Sequence, residues 1–110
     1  MNYSDSQTVT AVINNTPMKL NHREVSVTEG GTVSVALHGS PCLSLDRKTG
    51  ELEIDGDTPA TRKSTRLINA ILAAFGPYRV CTKKGQWWLQ NPEGENFEFT
   101  GRLAIIPVTA

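Results

Sequence analysis

Apolar residues alternate with polar ones along most of this chain and fall into a helical period once. Val25 and Val27, then Val33, Val35 and Leu37, occupy every second position. That spacing predicts strands over 24–28 and 32–37, joined by a turn at Gly30-Gly31. Leu43 and Leu45 repeat the pattern, as do Leu52 and Ile54, on either side of Asp46-Arg47-Lys48-Thr49-Gly50. An Asp opening that loop and a Gly able to take positive φ at its end fit a hairpin built on a type I turn with a bulge. Further on the period changes. Leu67, Ile68, Ile71, Leu72 and Phe75 fall within a sector of about 140° at 100° per residue, the apolar stripe of a helix that faces a sheet. Asp57-Thr58-Pro59 supplies a cap and a first-turn proline, with a start nearer Thr61 as the alternative, and Gly76-Pro77 ends the helix.

A second hairpin follows over 78–82 and 86–90. With a two-residue turn at Lys84-Gly85, Val80 pairs with Leu89 and Thr82 with Trp87. The other face then holds Arg79, Cys81, Lys83, Gln86, Trp88 and Gln90; a three-residue loop would shift that register. Short strands over 97–100 and 102–108 close the chain, after a turn at Asn91-Pro92-Glu93-Gly94. At the front, 8–13 alternates weakly and reads as a first strand, and 1–7 reads as a disordered tail. Together these elements predict an α+β fold in one domain over 1–110. Its antiparallel sheet of short strands, either split or strongly curled, packs on one central helix at about 58–75.

Composition adds little until charge is located. A chain of 110 residues can bury a core without metal or disulfides. It has no apolar run long enough to span a membrane and no signal-peptide pattern, so a cytoplasmic protein is expected. Cys42 and Cys81 lie in strand-like runs without metal-ligand spacing and read as small buried hydrophobes. Net charge is zero, but residues 1–57 carry eight acids and four bases, whereas residues 58–110 carry three acids and seven bases. The asymmetry points either to a polar partner surface or to mutual neutralisation within the fold.

Most candidate chemistry has a plain structural explanation. Glu51, Glu53, Asp55 and Asp57 share one face of an extended strand, but they lack calcium-loop spacing and read as a solvated edge. His22 and His38 stand apart from any nucleophile, phosphate-loop or metalloprotease motif, and a His38–Cys42 pair has no third orienting group. Arg62, Lys63 and Arg66 are different, because they occupy the helix end whose dipole disfavours cations. Either Asp55 and Asp57 neutralise them, or an anionic partner does. Adjacent Trp87 and Trp88 must point to opposite faces of a strand, so one enters the core and the other needs cover from a second layer, a subunit or a partner. Arg62, Lys63, Arg66 and Asn69 on the outer helix face, with Lys83, Lys84 and Trp88 on the hairpin, form the candidate partner-binding set.

Three stretches carry a resemblance. They are Val35-Ala36-Leu37-His38-Gly39-Ser40 followed by Leu43 and Leu45; a threonine-rich lead into Ser64-Thr65-Arg66-Leu67-Ile68-Asn69-Ala70-Ile71-Leu72; and Tyr78-Arg79-Val80 followed by Lys84-Gly85-Gln86-Trp87. Over roughly residues 33–90 the chain resembles a loose group of small orphan proteins of tailed bacteriophages. The Gly-Trp common in that group before the threonines is replaced here by Gly56-Asp57-Thr58. The group has no catalytic residues to carry over. The resemblance implies an accessory role during infection, acting on a host or defence component.

The sequence therefore predicts a non-enzymatic protein without cofactor or metal, whose partner is a host or phage protein. Direct nucleic-acid binding by the same surface is the first alternative. A self-assembling phage component is the second, with a homodimer among the oligomeric states left open.

Overall fold

The computed structural model describes residues 2–105. Among them are two helices and nine strands: α1 (Tyr3–Ile13), β1 (Met18–Leu20), β2 (Arg23–Val27), β3 (Thr32–Leu37), β4 (Ser40–Asp46), β5 (Leu52–Asp55), α2 (Arg62–Ala73), β6 (Arg79–Lys83), β7 (Gln86–Gln90), β8 (Asn96–Phe99) and β9 (Arg102–Ile105). The strands form two antiparallel sheets. One has six strands in the order β1-β2-β3-β4-β5-β9, and the other has three in the order β6-β7-β8. The α+β class is as predicted, and the sheet is split. The predicted last strand runs over Arg102–Ile105, and its continuation to 108 lies outside the described residues.

Three hairpins turn on two residues that both have positive φ: Asn21-His22, His38-Gly39 and Lys84-Gly85. These are the primed turns whose twist matches that of paired strands. The Lys84-Gly85 turn fixes the predicted register, with Val80 opposite Leu89 and Thr82 opposite Trp87. In the large sheet, Val25, Val35, Leu43 and Ile54 form one cross-strand row on the inner face. Val33, Leu45, Leu52 and Ile105 form the next. A register shift after Val35 leaves Cys42 as the extra residue of a bulge and turns it into the core.

Helix α1 corrects the expectation for the front of the chain. Residues read as a tail over 1–7 and a strand over 8–13 form one helix from Tyr3 onward, with Met1 outside the described residues. Its buried residues are Ser4, Asp5, Thr8, Ala11 and Val12, so the spacing is helical but three of the five inward positions are polar. Each polar group is satisfied. The Thr8 hydroxyl donates to Ser4 O at 2.7 Å, Asn21 Nδ2 donates to Ser4 Oγ at 2.5 Å, and Arg23 Nε meets Asp5 Oδ1 at 2.8 Å. Asn2 caps the first turn by accepting from Asp5 N. At the far end Arg47, from the β4–β5 loop, donates to Val12 O, Ile13 O and Asn15 Oδ1, satisfying carbonyls that a helix C-terminus leaves open.

The second helix starts at its alternative site. Thr61 is the N-cap, and its hydroxyl accepts from Ser64 N at 3.1 Å while Thr61 N donates to Ser64 Oγ at 3.0 Å. That reciprocal box outcompetes Asp57-Thr58-Pro59. Thr58 is used otherwise: it is buried, its hydroxyl donates to Pro41 O, and its carbonyl accepts from Trp87 Nε1 at 2.9 Å. Leu67, Ile68, Ile71 and Leu72 are buried as predicted, and Phe75 packs against the core from a half-buried position.

Gly56 packs its backbone against that of Gly101, and a Cβ there would stand 2.4 Å from Gly101 O.

Asp5→Ala leaves the buried Arg23 guanidinium without its counter-charge and should cost about 3–5 kcal/mol of folding stability in a urea titration. A disordered tail at 1–7 would instead make the substitution neutral.

Candidate functional site

Arg62, Lys63 and Arg66 are all exposed, and no described residue places a carboxylate within 4.0 Å of them. The first turn of α2 contains no acid. Of the two expected neutralisers, Asp55 is directed elsewhere. Leu52 and Ile54 point into the core, so Glu53 and Asp55 face the outer side of the six-stranded sheet, away from α2. Glu53 pairs with Arg102 at 3.4 Å, and Asp55 Oδ1 accepts from Asp57 N at 2.9 Å. The cations thus stand unpaired at the helix end that least favours them.

Asn69 is in a different position. Its Nδ2 donates to Val80 O at 2.9 Å, and its Oδ1 accepts from Val80 N at 2.7 Å. The amide replaces a neighbouring strand along β6 and is therefore committed to holding the hairpin against α2. The hairpin runs back along the helix. Val80 meets Asn69, while Trp87, opposite Thr82, reaches Thr58 ahead of the helix start. Lys83 and Lys84, both exposed, therefore lie toward the end of α2 that carries Arg62 and Lys63.

Trp87 is the buried tryptophan, stacked on Phe99 with ring centroids 6.3 Å apart. Trp88 is half-buried on the opposite face of the three-stranded sheet, in register with Cys81 and Glu98. Lys83 Nζ sits 5.5 Å from its ring centroid, within cation–π range. Trp88 and the outer face of α2 thus belong to two surfaces that meet at β6. Cys81 is exposed on the same face as Trp88, contrary to the expectation that both cysteines are buried. Cys42 is buried, and that burial pushes its thiol pKa up, which keeps it protonated and unreactive.

Two features were not read from the sequence. Arg79 is exposed at the start of β6 and shares a groove with Arg66. His22 and His38 stack with centroids 4.5 Å apart, each in a left-handed turn position, and His38 N donates to His22 O at 2.8 Å. The Arg23–Leu37 pairing places these two turns side by side. His38 is exposed overall, but desolvation, together with the positive charges of His22, Lys63 and Arg23, lowers its pKa from 6.5. Among the described residues, no group of three or more His, Cys, Asp or Glu side chains is placed to hold a metal ion. Among the same residues, no helix is long and apolar enough to cross a membrane.

With its folded pKa below the unfolded value, His38 takes up a proton in the unfolded chain first. Its contribution to stability is therefore nil well above pH 6.5 and becomes unfavourable as pH falls through that value. An NMR titration should place the His38 midpoint below 6.5, and Lys63→Gln should raise it. A midpoint that does not respond to Lys63→Gln would remove Lys63 from the imidazole's surroundings.

A model of the Kyanoviridae Gp96 protein family matches residues 1–104. The chain belongs to this family of small tailed-cyanophage proteins, and the match extends well beyond the 33–90 stretch that carried the resemblance. No curated protein and no solved structure matches the chain.

Proposed function

We propose that this phage protein is a non-catalytic accessory factor, acting in the infected cell's cytoplasm, that binds an acidic surface on a host or defence protein. The contact runs through Arg62, Lys63 and Arg66 on α2, with Lys83 and Lys84 from the hairpin tip. The observation that carries this reading is that the three helix cations are exposed with no carboxylate partner among the described residues, at the helix end where their charge is least favoured. A fold that needed them only for itself would gain by pairing them with Asp55, which instead faces the far side of the six-stranded sheet and accepts from Asp57 N. A partner carboxylate makes with each arginine a charge-assisted, bidentate contact that the isolated protein lacks.

A second reading has its own support. Trp88, half-exposed beneath the Lys83 ammonium on an open sheet face, has the make-up of a platform for a nucleobase. Salt separates the two readings, because nucleic-acid affinity falls steeply with ionic strength in proportion to the phosphates neutralised.

Affinity capture from host-cell lysate with the native chain and with Arg62→Glu/Arg66→Glu, each with and without nuclease, is the test. The expected result is a nuclease-resistant protein partner whose affinity drops about tenfold to a hundredfold in the double variant. A partner retained equally by both forms would eliminate the basic edge, and a nuclease-sensitive capture would transfer the function to nucleic acid.

A further inference from the structure

The groove that holds Arg66 and Arg79 lies between α2, the segment joining α2 to β6, and the buried end of α1. It encloses about 640 Å³, within the range of sites that seat side-chain-sized or larger apolar groups. Ala70, Ala73 and Pro77 form its walls, and its exposed lining is chiefly carbon. Its polar groups are largely occupied. Both amide atoms of Asn69 bond Val80, and the Thr65 hydroxyl donates to Thr61 O at 2.7 Å. Asp5, at the bottom, is matched by Arg23 at 2.8 Å. The guanidiniums of Arg66 and Arg79 are the exception, since both are exposed and neither has a carboxylate within 4.0 Å among the described residues.

An apolar trough with two unpaired guanidiniums is complementary to a ligand with an apolar body and carboxylates beside it. A bare polyanion fits poorly, because it brings nothing to cover the alanine and proline walls. We infer that this groove is a docking site for a partner-protein segment in which acidic residues flank a leucine- or phenylalanine-sized side chain. The apolar side chain lies along Ala70, Ala73 and Pro77, and the carboxylates meet Arg66 and Arg79. This rests on the reading of α2 as a partner surface and gives that partner a recognition element: an acidic–hydrophobic segment rather than a merely acidic patch. Ala70 and Ala73 are what make room for it. A bulky residue at either position would intrude on the trough.

Fluorescence polarisation with three labelled hexapeptides tests the inference: alternating glutamate–leucine, hexaglutamate, and alternating glutamine–leucine. The glutamate–leucine peptide should bind at least tenfold more tightly than either control. Ala73→Trp should abolish that binding while circular dichroism and thermal unfolding stay native-like. Arg79→Gln, at an exposed position that leaves the walls intact, should weaken it about tenfold, the worth of one lost charge-assisted contact. Equal binding of the glutamate–leucine peptide and hexaglutamate would reduce the site to a charge contact and overturn the inference. So would failure of the glutamate–leucine peptide to bind the native chain, or undiminished binding by both variants. The captured partner distinguishes this inference from the reading beneath it. A partner lost with Arg62→Glu/Lys63→Glu but kept by Ala73→Trp sinks the groove alone. A partner kept by the charge-reversed edge but lost with Ala73→Trp sinks the edge and leaves the groove.

Discussion

The Asp5 carboxylate and the Arg23 guanidinium meet inside the protein, each almost fully removed from water. Arg23 lies on β2 and Asp5 in the first turn of α1, so the pair ties a helix with a weak apolar face to one side of the six-stranded sheet. That sheet has a continuous inner face of valine, leucine and isoleucine, which one twelve-residue helix cannot cover. Helix α1 completes the cover, and much of its fixation is polar: Asn2 caps it, Ser4 accepts from Asn21, Asp5 binds Arg23, and Arg47 closes its C-terminus. Burying an ion pair brings little net stability compared with an apolar pair, but breaking it leaves a charge stranded. Its contribution is to fix where α1 sits. With α1 in place, α2 is covered on its apolar face and leaves its basic side to solvent.

Charge is segregated by the alternation of the strands. Residues whose neighbours point into the core must point out, so Glu53 and Asp55 share the far face of the large sheet with Ser26, Ser34 and Ser44. The cations of α2 lie on the other side of that sheet. A local alternation rule thus leaves the arginines of α2 without a carboxylate partner among the described residues.

What could be read from the sequence follows from how each element is specified. The strands and hairpins from 24 onward were legible because alternation and turn glycines carry them, and the Trp87–Thr82 register followed from the Lys84-Gly85 turn alone. Helix α1 was hidden because Ser4, Asp5 and Thr8 occupy inward positions, and polar residues there cancel the apolar period that marks a helix. Only their partners, Asn21 and Arg23, make the burial tolerable, and those contacts are distant in sequence. Arg62, Lys63 and Arg66 were legible as an outward basic edge from angular position. The role of Asn69 was not, since angular position says that it faces away from the apolar stripe but not that β6 returns to meet it. The stacked histidines required the β2–β3 pairing, and Arg79 required the path of the chain after Gly76-Pro77.

The Asn69 contact also explains why there are two sheets and why the groove exists. Val80 directs its N–H and C=O away from β7, toward what would be the next strand, and the asparagine amide takes both. An edge satisfied by a side chain has no need of another strand at that point, so β6 borders a helix instead of extending the sheet. Because an amide side chain is short, this contact holds β6 close to α2. The chain between them, Gly76-Pro77 and Tyr78, lines a groove with Ala70 and Ala73, whose small side chains leave room there among the described residues. A bulky residue at either position would take up part of that space. The groove and the separation of the sheets are thus two results of one side chain standing in for a strand.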